Sequence, residues 1–289
     1  RQPRDRQATA ARPPGDSRAA GSDAARRNPP RAVRVAGGAA RTRHGGCNSG
    51  TVDTMAVAVA PEQAVRRRLA DVRVRVAAAA RRGGWPAQRV RVMAVTKTRS
   101  RVAAAAALAA GADLVGENRV QEAAAKFARL PEFELHLIGH LQRNKARAAT
   151  RLFHAVQSID KLATAEALQR ALDAEHRTMD VLLELNTSGE PAKHGFRTAD
   201  ELRCVLDTMA VCDRLRVRGL MTMAAWRADP EAVRRSFRSL RRLFDELAPG
   251  RPGFDTLSMG MSADYEIAVE EGATLVRLGS VLFGPRPTP

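Results

Sequence analysis

The sequence predicts an α/β protein: a single (β/α)8 TIM barrel with an extra N-terminal helix, preceded by a disordered extension. Three observations lead there. From residue 55 on, eight short apolar runs alternate with segments long enough to be helical crossovers. Of the 289 residues, the stretch from Met55 to Pro289 is about 235 long, close to the roughly 250 typical of such barrels. Small and polar residues gather just after the apolar runs, at the end where a barrel keeps its functional groups. An open doubly wound sheet is the competing topology. No G-x-G-x-x-G follows the first run, which counts against a dinucleotide-binding fold.

Residues 1–54 differ in kind from the rest. They hold eleven Arg against four Asp, two Pro-Pro pairs, and no aromatic residue, Leu, Ile or Met. Such a segment buries too little apolar surface to offset its chain entropy, so an unfolded extension is expected, with Met55 as a natural start. A transit peptide, Arg-rich and acid-poor, is the alternative. A helix is predicted over 61–82, where Val65, Leu69, Val72 and Val76 recur at helical spacing and Gly83-Gly84 ends the run. Strands are predicted at 90–96, 113–116, 135–139, 154–158, 181–186, 216–221, 256–259 and 274–278.

Composition narrows the function. No apolar stretch approaches the length of about 18 residues that a transmembrane helix needs. Three cysteines, Cys47, Cys204 and Cys212, show no metal-type spacing and leave one unpaired, which suits reduced thiols in a cytoplasmic protein. The net charge of +17 invites a nucleic-acid reading. The arginines are spread along the whole chain, however, and 4% aromatic content offers few stacking platforms. No dedicated nucleic-acid function and no membrane function are expected.

The chemistry is concentrated in a few residues. Only five of the 48 basic side chains are Lys, and Lys97 closes the first apolar run. Arg stays protonated at any accessible pH, whereas a desolvated Lys can become an amine nucleophile. A solvated Lys just past a strand is the bland alternative. After the second run comes Gly116-Glu117-Asn118, and the third carries His136, a core histidine unless the site claims it. The sixth ends in Met221-Thr222. The seventh gives Ser258-Met259-Gly260-Met261-Ser262, with Ser262 the expected N-cap of a helix over 263–271 and Tyr265, the only Tyr, expected at the surface. The eighth gives Arg277-Leu278-Gly279-Ser280. Glycines and serines after the last two strands supply the backbone N–H groups and hydroxyls of a phosphate site. An amine opposite such a loop meets the needs of a phosphate-bearing aldehyde, pyridoxal 5′-phosphate. Arg277 could face the pyridine nitrogen of that cofactor, or form an interior salt bridge, for instance with Glu117.

These residues resemble the pyridoxal phosphate homeostasis proteins, relatives of the alanine racemase N-terminal barrel. The matching blocks are Met93 to Lys97, Gly116-Glu117-Asn118 with Gln121-Glu122, His136 to Gly139 with Leu141-Gln142 and Asn144-Lys145, Ser158-Ile159-Asp160, Arg218 to Met221, Leu257 to Ser262, and Val276 to Gly279. The resemblance covers essentially all of 55–289. It implies that Lys97 holds pyridoxal phosphate as a Schiff base, that Ser258, Gly260, Gly279 and Ser280 help hold the phosphate, and that Arg277 faces the ring nitrogen. Asn118, His136 and Met221 are implied to line the pocket. Arg119 stands where the family often has Tyr, and His140 where many members have Pro. The implied role is intracellular pyridoxal phosphate homeostasis and delivery rather than turnover. Apo-enzymes that depend on the cofactor are the expected acceptors, and the protein itself is expected to be a monomer or weak dimer. The alternative is an amino-acid racemase, which needs a base on each face of its substrate. Racemases of this type bring the second base, a Tyr, from an extra β-domain, for which the chain leaves no expected room after strand eight.

Overall fold

The computed structural model describes residues 53–190, 193–225 and 228–285. The expected extension, 1–54, lies outside the described residues except for Asp53 and Thr54, which are helical. Eight parallel strands close into a barrel in sequence order: β1 (Arg91–Val95), β2 (Leu114–Glu117), β3 (Leu135–Leu137), β4 (Ala155–Ile159), β5 (Met179–Glu184), β6 (Leu215–Met221), β7 (Thr256–Met261) and β8 (Leu275–Leu278). β8 pairs with β1, Val92 opposite Val276 and Ala94 opposite Leu278. Each strand is followed by a helix: α2 (Arg101–Ala109), α3 (Val120–Phe127), α4 (Ala146–Leu152), α5 (Leu162–Asp173), α6 (Ala199–Met209), α7 (Pro230–Leu247), α8 (Tyr265–Glu270) and α9 (Ser280–Phe283). The extra helix, α1 (Asp53–Gly83), precedes them.

Local sequence explains these elements. All residues of β2, β4 and β8 are buried, as in a parallel sheet covered on both faces. Ser100 accepts from Ala103 N at the start of α2, Thr198 and Glu201 form a capping box on α6, and Asp229 caps α7 with Pro230 in its first turn. α7 presents Val233, Phe237, Leu240 and Phe244 as a buried stripe at helical spacing. α1 packs on α2 and α8 and buries Val65, Leu69, Val72 and Val76. It begins two turns before the expected start, with Pro61 inside the helix. Its other end is a Schellman turn: Trp85 N donates to Ala80 O (2.8 Å), Gly84 N donates to Arg81 O (3.2 Å), and Gly84 has φ +74°.

The core has two shells. Val92, Ala94, Val115, Leu257, Met259, Val276 and Leu278 face outward to the helices in one cluster. Met93, Val95, Leu114 and Leu275 form a second cluster inside the barrel, with Ile138 against it. Alternation along each strand carries the inward row upward: from Met93 and Val95 to Lys97, from Leu114 to Asn118, from Leu275 to Arg277 and Gly279. The strand period thus delivers these side chains to one end of the barrel.

Candidate functional site

A cavity of about 740 Å³ opens at that end. Of the residues singled out from sequence, Lys97, Asn118, Arg277, Gly279 and Ser280 line it. His136, Met221, Ser258 and Gly260 are not part of its lining; they stand behind it, and Met223 takes the wall position two residues past Met221.

The backbone on either side of Lys97 is clamped. Thr96 Oγ1 donates to Glu117 Oε1 (2.5 Å), and Lys126 Nζ donates to both Thr96 O (2.8 Å) and Glu117 Oε1 (2.7 Å). Beyond the lysine, Thr98 N donates to Glu122 Oε1 (2.5 Å), which also faces Lys126 at 3.3 Å. Thr98 adopts φ +61°, a left-handed conformation uncommon for a β-branched residue. Glu117 is fully buried with one oxygen unpartnered. Burial pushes its carboxyl up, against the hydrogen bonds from Lys126 and Thr96. Glu117 is therefore committed to Lys126, and the interior salt bridge considered for Arg277 does not form with it.

Arg277 is instead held by neutral groups. Its Nη1 donates to Ser258 Oγ and its Nη2 to Thr222 O, both at 2.7 Å. Burial lowers its pKa to about 10, with Asp264 and Glu184 opposing the shift, so it stays charged at neutral pH. From Arg277 a chain of hydrogen bonds runs down the barrel. Ser258 Oγ donates to Gln157 Oε1 (2.7 Å), Gln157 Nε2 meets His136 Nδ1 (2.7 Å), and His136 Nε2 meets Glu134 Oε1 (2.7 Å). Arg91 closes it by pairing with Glu134 at the barrel floor. Every donor in the series can point the same way, with Nε2–H of His136 directed at Glu134. Against its burial, hydrogen bonds from His136 and then Arg91 hold the Glu134 carboxyl at about 2.

The loops after β7 and β8 meet at a hydroxyl. Ser262 Oγ accepts from Gly279 N (3.1 Å) and Val281 N (3.3 Å). This corrects the N-cap assignment: α8 starts at Tyr265, its N-cap is Asp264, and Ser262 binds the β8 loop. Met261 N donates to Asp264 Oδ1 (2.5 Å) and fixes the intervening turn. Gly260 is required there, because φ is +92° and a Cβ would lie 2.5 Å from Ala268 Cβ. Tyr265 is also corrected: it is 3% exposed, its phenol has no hydrogen-bond partner, and it does not line the cavity.

Sequence reasoning missed Glu184, at the top of β5 and in the cavity wall. Burial first, then the charge of Asp160, raise its pKa to about 7, with Arg277 opposing. It also missed that His140 and His194 line the same cavity.

The donor set fits a phosphorylated aldehyde. Two backbone N–H groups already converge on one oxygen, as they would on a phosphate oxygen, and an amine-bearing lysine and a guanidinium charged at neutral pH share the cavity. Fold and site together define a barrel of the alanine racemase N-terminal domain type, whose family model matches residues 53–287. The chain is 36% identical over 222 residues to the pyridoxal phosphate homeostasis protein of Aquifex aeolicus, covering 76% of this chain and 97% of that one. It is 39% identical over 224 residues to the protein of that name from Pseudomonas aeruginosa, covering 77% and 96%. PipY of Synechococcus elongatus, solved with pyridoxal phosphate bound, superposes with a TM-score of 0.65 at 35% identity, over 76% of this chain and all of that one. The chain belongs to the pyridoxal phosphate homeostasis protein family.

Proposed function

We propose that the barrel from residue 55 onward binds pyridoxal 5′-phosphate through Lys97 and serves to hold and hand over the cofactor inside the cell. The observation that carries this reading is the pairing, across one cavity, of Lys97 with the amides gathered by Ser262. When bound, the cofactor would supply an aldehyde able to condense with an amine and a ring able to withdraw electrons. Lys97 is the covalent anchor; its flanking residues, fixed by Glu117, Glu122 and Lys126, hold its backbone in place. Gly279 and Ser280 form the phosphate cradle with Ser262, while Ser258 and Gly260 support it from behind. Asn118 lines the wall; His136 and Met221 act from the layers beneath.

Arg277 disfavours turnover. A guanidinium near a pyridine nitrogen has no proton-accepting atom and leaves that nitrogen unprotonated, a weaker electron sink than a carboxylate partner gives. The alternative, an amino-acid racemase, needs a second base facing Lys97. Tyr265, buried and outside the cavity wall, is poorly placed for that duty. We therefore read the protein as a carrier in the cytoplasm, where the free thiols of Cys204 and Cys212 remain reduced. Apo-enzymes are its acceptors. Among the described residues no helix is long and apolar enough to cross a membrane.

The test is spectroscopic. Loaded protein is expected to show a Schiff-base absorption band in the visible to near-ultraviolet, and borohydride reduction should fix the cofactor's mass on the peptide that contains Lys97. Lys97→Ala should lose both signals. A wild type that takes up no cofactor ends the reading, and rapid formation of D-isomers from L-amino acids ends the carrier role in favour of the racemase.

A further inference from the structure

A second constellation borders the same cavity. His140 follows β3, Asp160 follows β4 and His194 lies after β5, so three loops bring them together. The Nδ1 atoms of His140 and His194 stand 3.1 and 3.3 Å from Asp160 Oδ2. One ligand atom from each of the three lies within 4.8 Å of the others. Asp160 is 4% exposed, and both of its oxygens lack a hydrogen-bond partner. The imidazoles approach it closely without hydrogen-bond geometry. A buried carboxylate in that state carries a desolvation cost that a cation at the same spot would offset.

We propose that His140, Asp160 and His194 form a binding site for a divalent first-row transition ion, with Zn2+ as the fitting example. Bonds of about 2.0–2.2 Å at tetrahedral angles place ligand atoms roughly 3.3 Å apart, the size of the two separations found here. Two imidazoles and one carboxylate suit Zn2+ and its neighbours better than Mg2+ or Ca2+, which favour all-oxygen sets. Three protein ligands leave a fourth position for water or an incoming group.

The metal-free arrangement explains what must move. The two imidazoles stack with centroids 4.0 Å apart and planes 11° from parallel. An ion bound by both must lie in both ring planes, so loading opens the stack. Side-chain exposures of 34% for His140 and 51% for His194 leave room for the rotation, while Asp160 stays fixed. Glu184 is near enough to Asp160 for the carboxyls to repel, and a cation there relieves both. The site does not depend on the bound cofactor.

The test uses the full chain, dialysed free of small molecules, with His44→Ala and Cys47→Ser in the background to remove rival ligands. Zn2+ is titrated against a chromophoric chelator, and Co2+ is added to read ligand geometry from its visible bands. The expected result is one ion per chain, with affinity reduced at least 10-fold by His140→Ala, His194→Ala or Asp160→Asn. If Asp160→Asn fails to fold by circular dichroism, the two surface histidine variants carry the test. A background protein that binds no equivalent at micromolar Zn2+ overturns the proposal. So does a His140→Ala/His194→Ala double variant that binds with unchanged affinity.

Discussion

Glu184 is a residue whose charge the fold controls directly. An acid held at about 7 in the folded state, against 4.5 for the ordinary side chain, takes up its proton preferentially in the folded protein. Its contribution is therefore greatest below the unfolded value, falls as pH rises from 4.5 to about 7, and is fully lost above that. Over this window the change is about 3 kcal/mol. Glu184→Gln should remove it: relative to wild type the variant gains stability between pH 5 and pH 8, read from urea midpoints. A difference that stays constant with pH would show that the group does not titrate there. At this scale the sequence was most informative about chemistry that needs one residue type. Lys97 stood out in a chain dominated by Arg, and Arg277 by its place beside a Gly-Ser loop. Ser262 was misread because a serine before a helix has the same signature whether it caps that helix or reaches the next loop. His140, Asp160 and His194 carry no local spacing pattern; only loop geometry unites them.

Among the elements, the join of β1, β2 and α3 decides how firmly Lys97 is held. Lys126 is the cation in that join, with its side chain 9% exposed. Lys126→Met should leave Glu117 buried without its counter-charge, at a cost of roughly 3–5 kcal/mol, and loosen Thr96 and Thr98 together. Urea unfolding reads the first effect and cofactor occupancy by absorbance the second. Unchanged occupancy would mean that the clamp is structural only. Gly260→Ala should act on the next turn along, where a positive φ and the contact with Ala268 Cβ combine. The variant should lose at least about 1 kcal/mol, measured as a lower melting temperature. The strands were legible because parallel, doubly covered strands read as continuous apolar runs, and their ends moved by two residues at most. The start of α1 was not. Proline favours a helix's first turn, so Pro61 drew the boundary to itself, although the helix runs on to Asp53.

For the whole molecule, barrel closure followed from counting eight βα units, and the pairing of β8 with β1 bears that out. What counting could not reveal was the interior of the barrel, because partners such as Ser258 and Gln157 lie 101 residues apart in sequence. The charge of +17 has its own consequence. Adhesion to polyanions should be independent of sequence and fall steeply between about 50 and 200 mM salt, which a heparin column measures. Salt-resistant retention would indicate a built nucleic-acid site. The hydrogen-bonded series from Arg277 through Ser258, Gln157 and His136 to Glu134 has a polarity set by its ends, since the guanidinium can only donate and the ionised carboxylate can only accept, which selects the Nε2–H tautomer of His136. Reversing one link obliges its neighbours to reverse as well. In evolutionary terms the five positions form one heritable unit: a substitution at the barrel floor sets which substitutions the mouth can accept. Lineages that alter Arg277 should therefore be found to alter Gln157 or His136 with it.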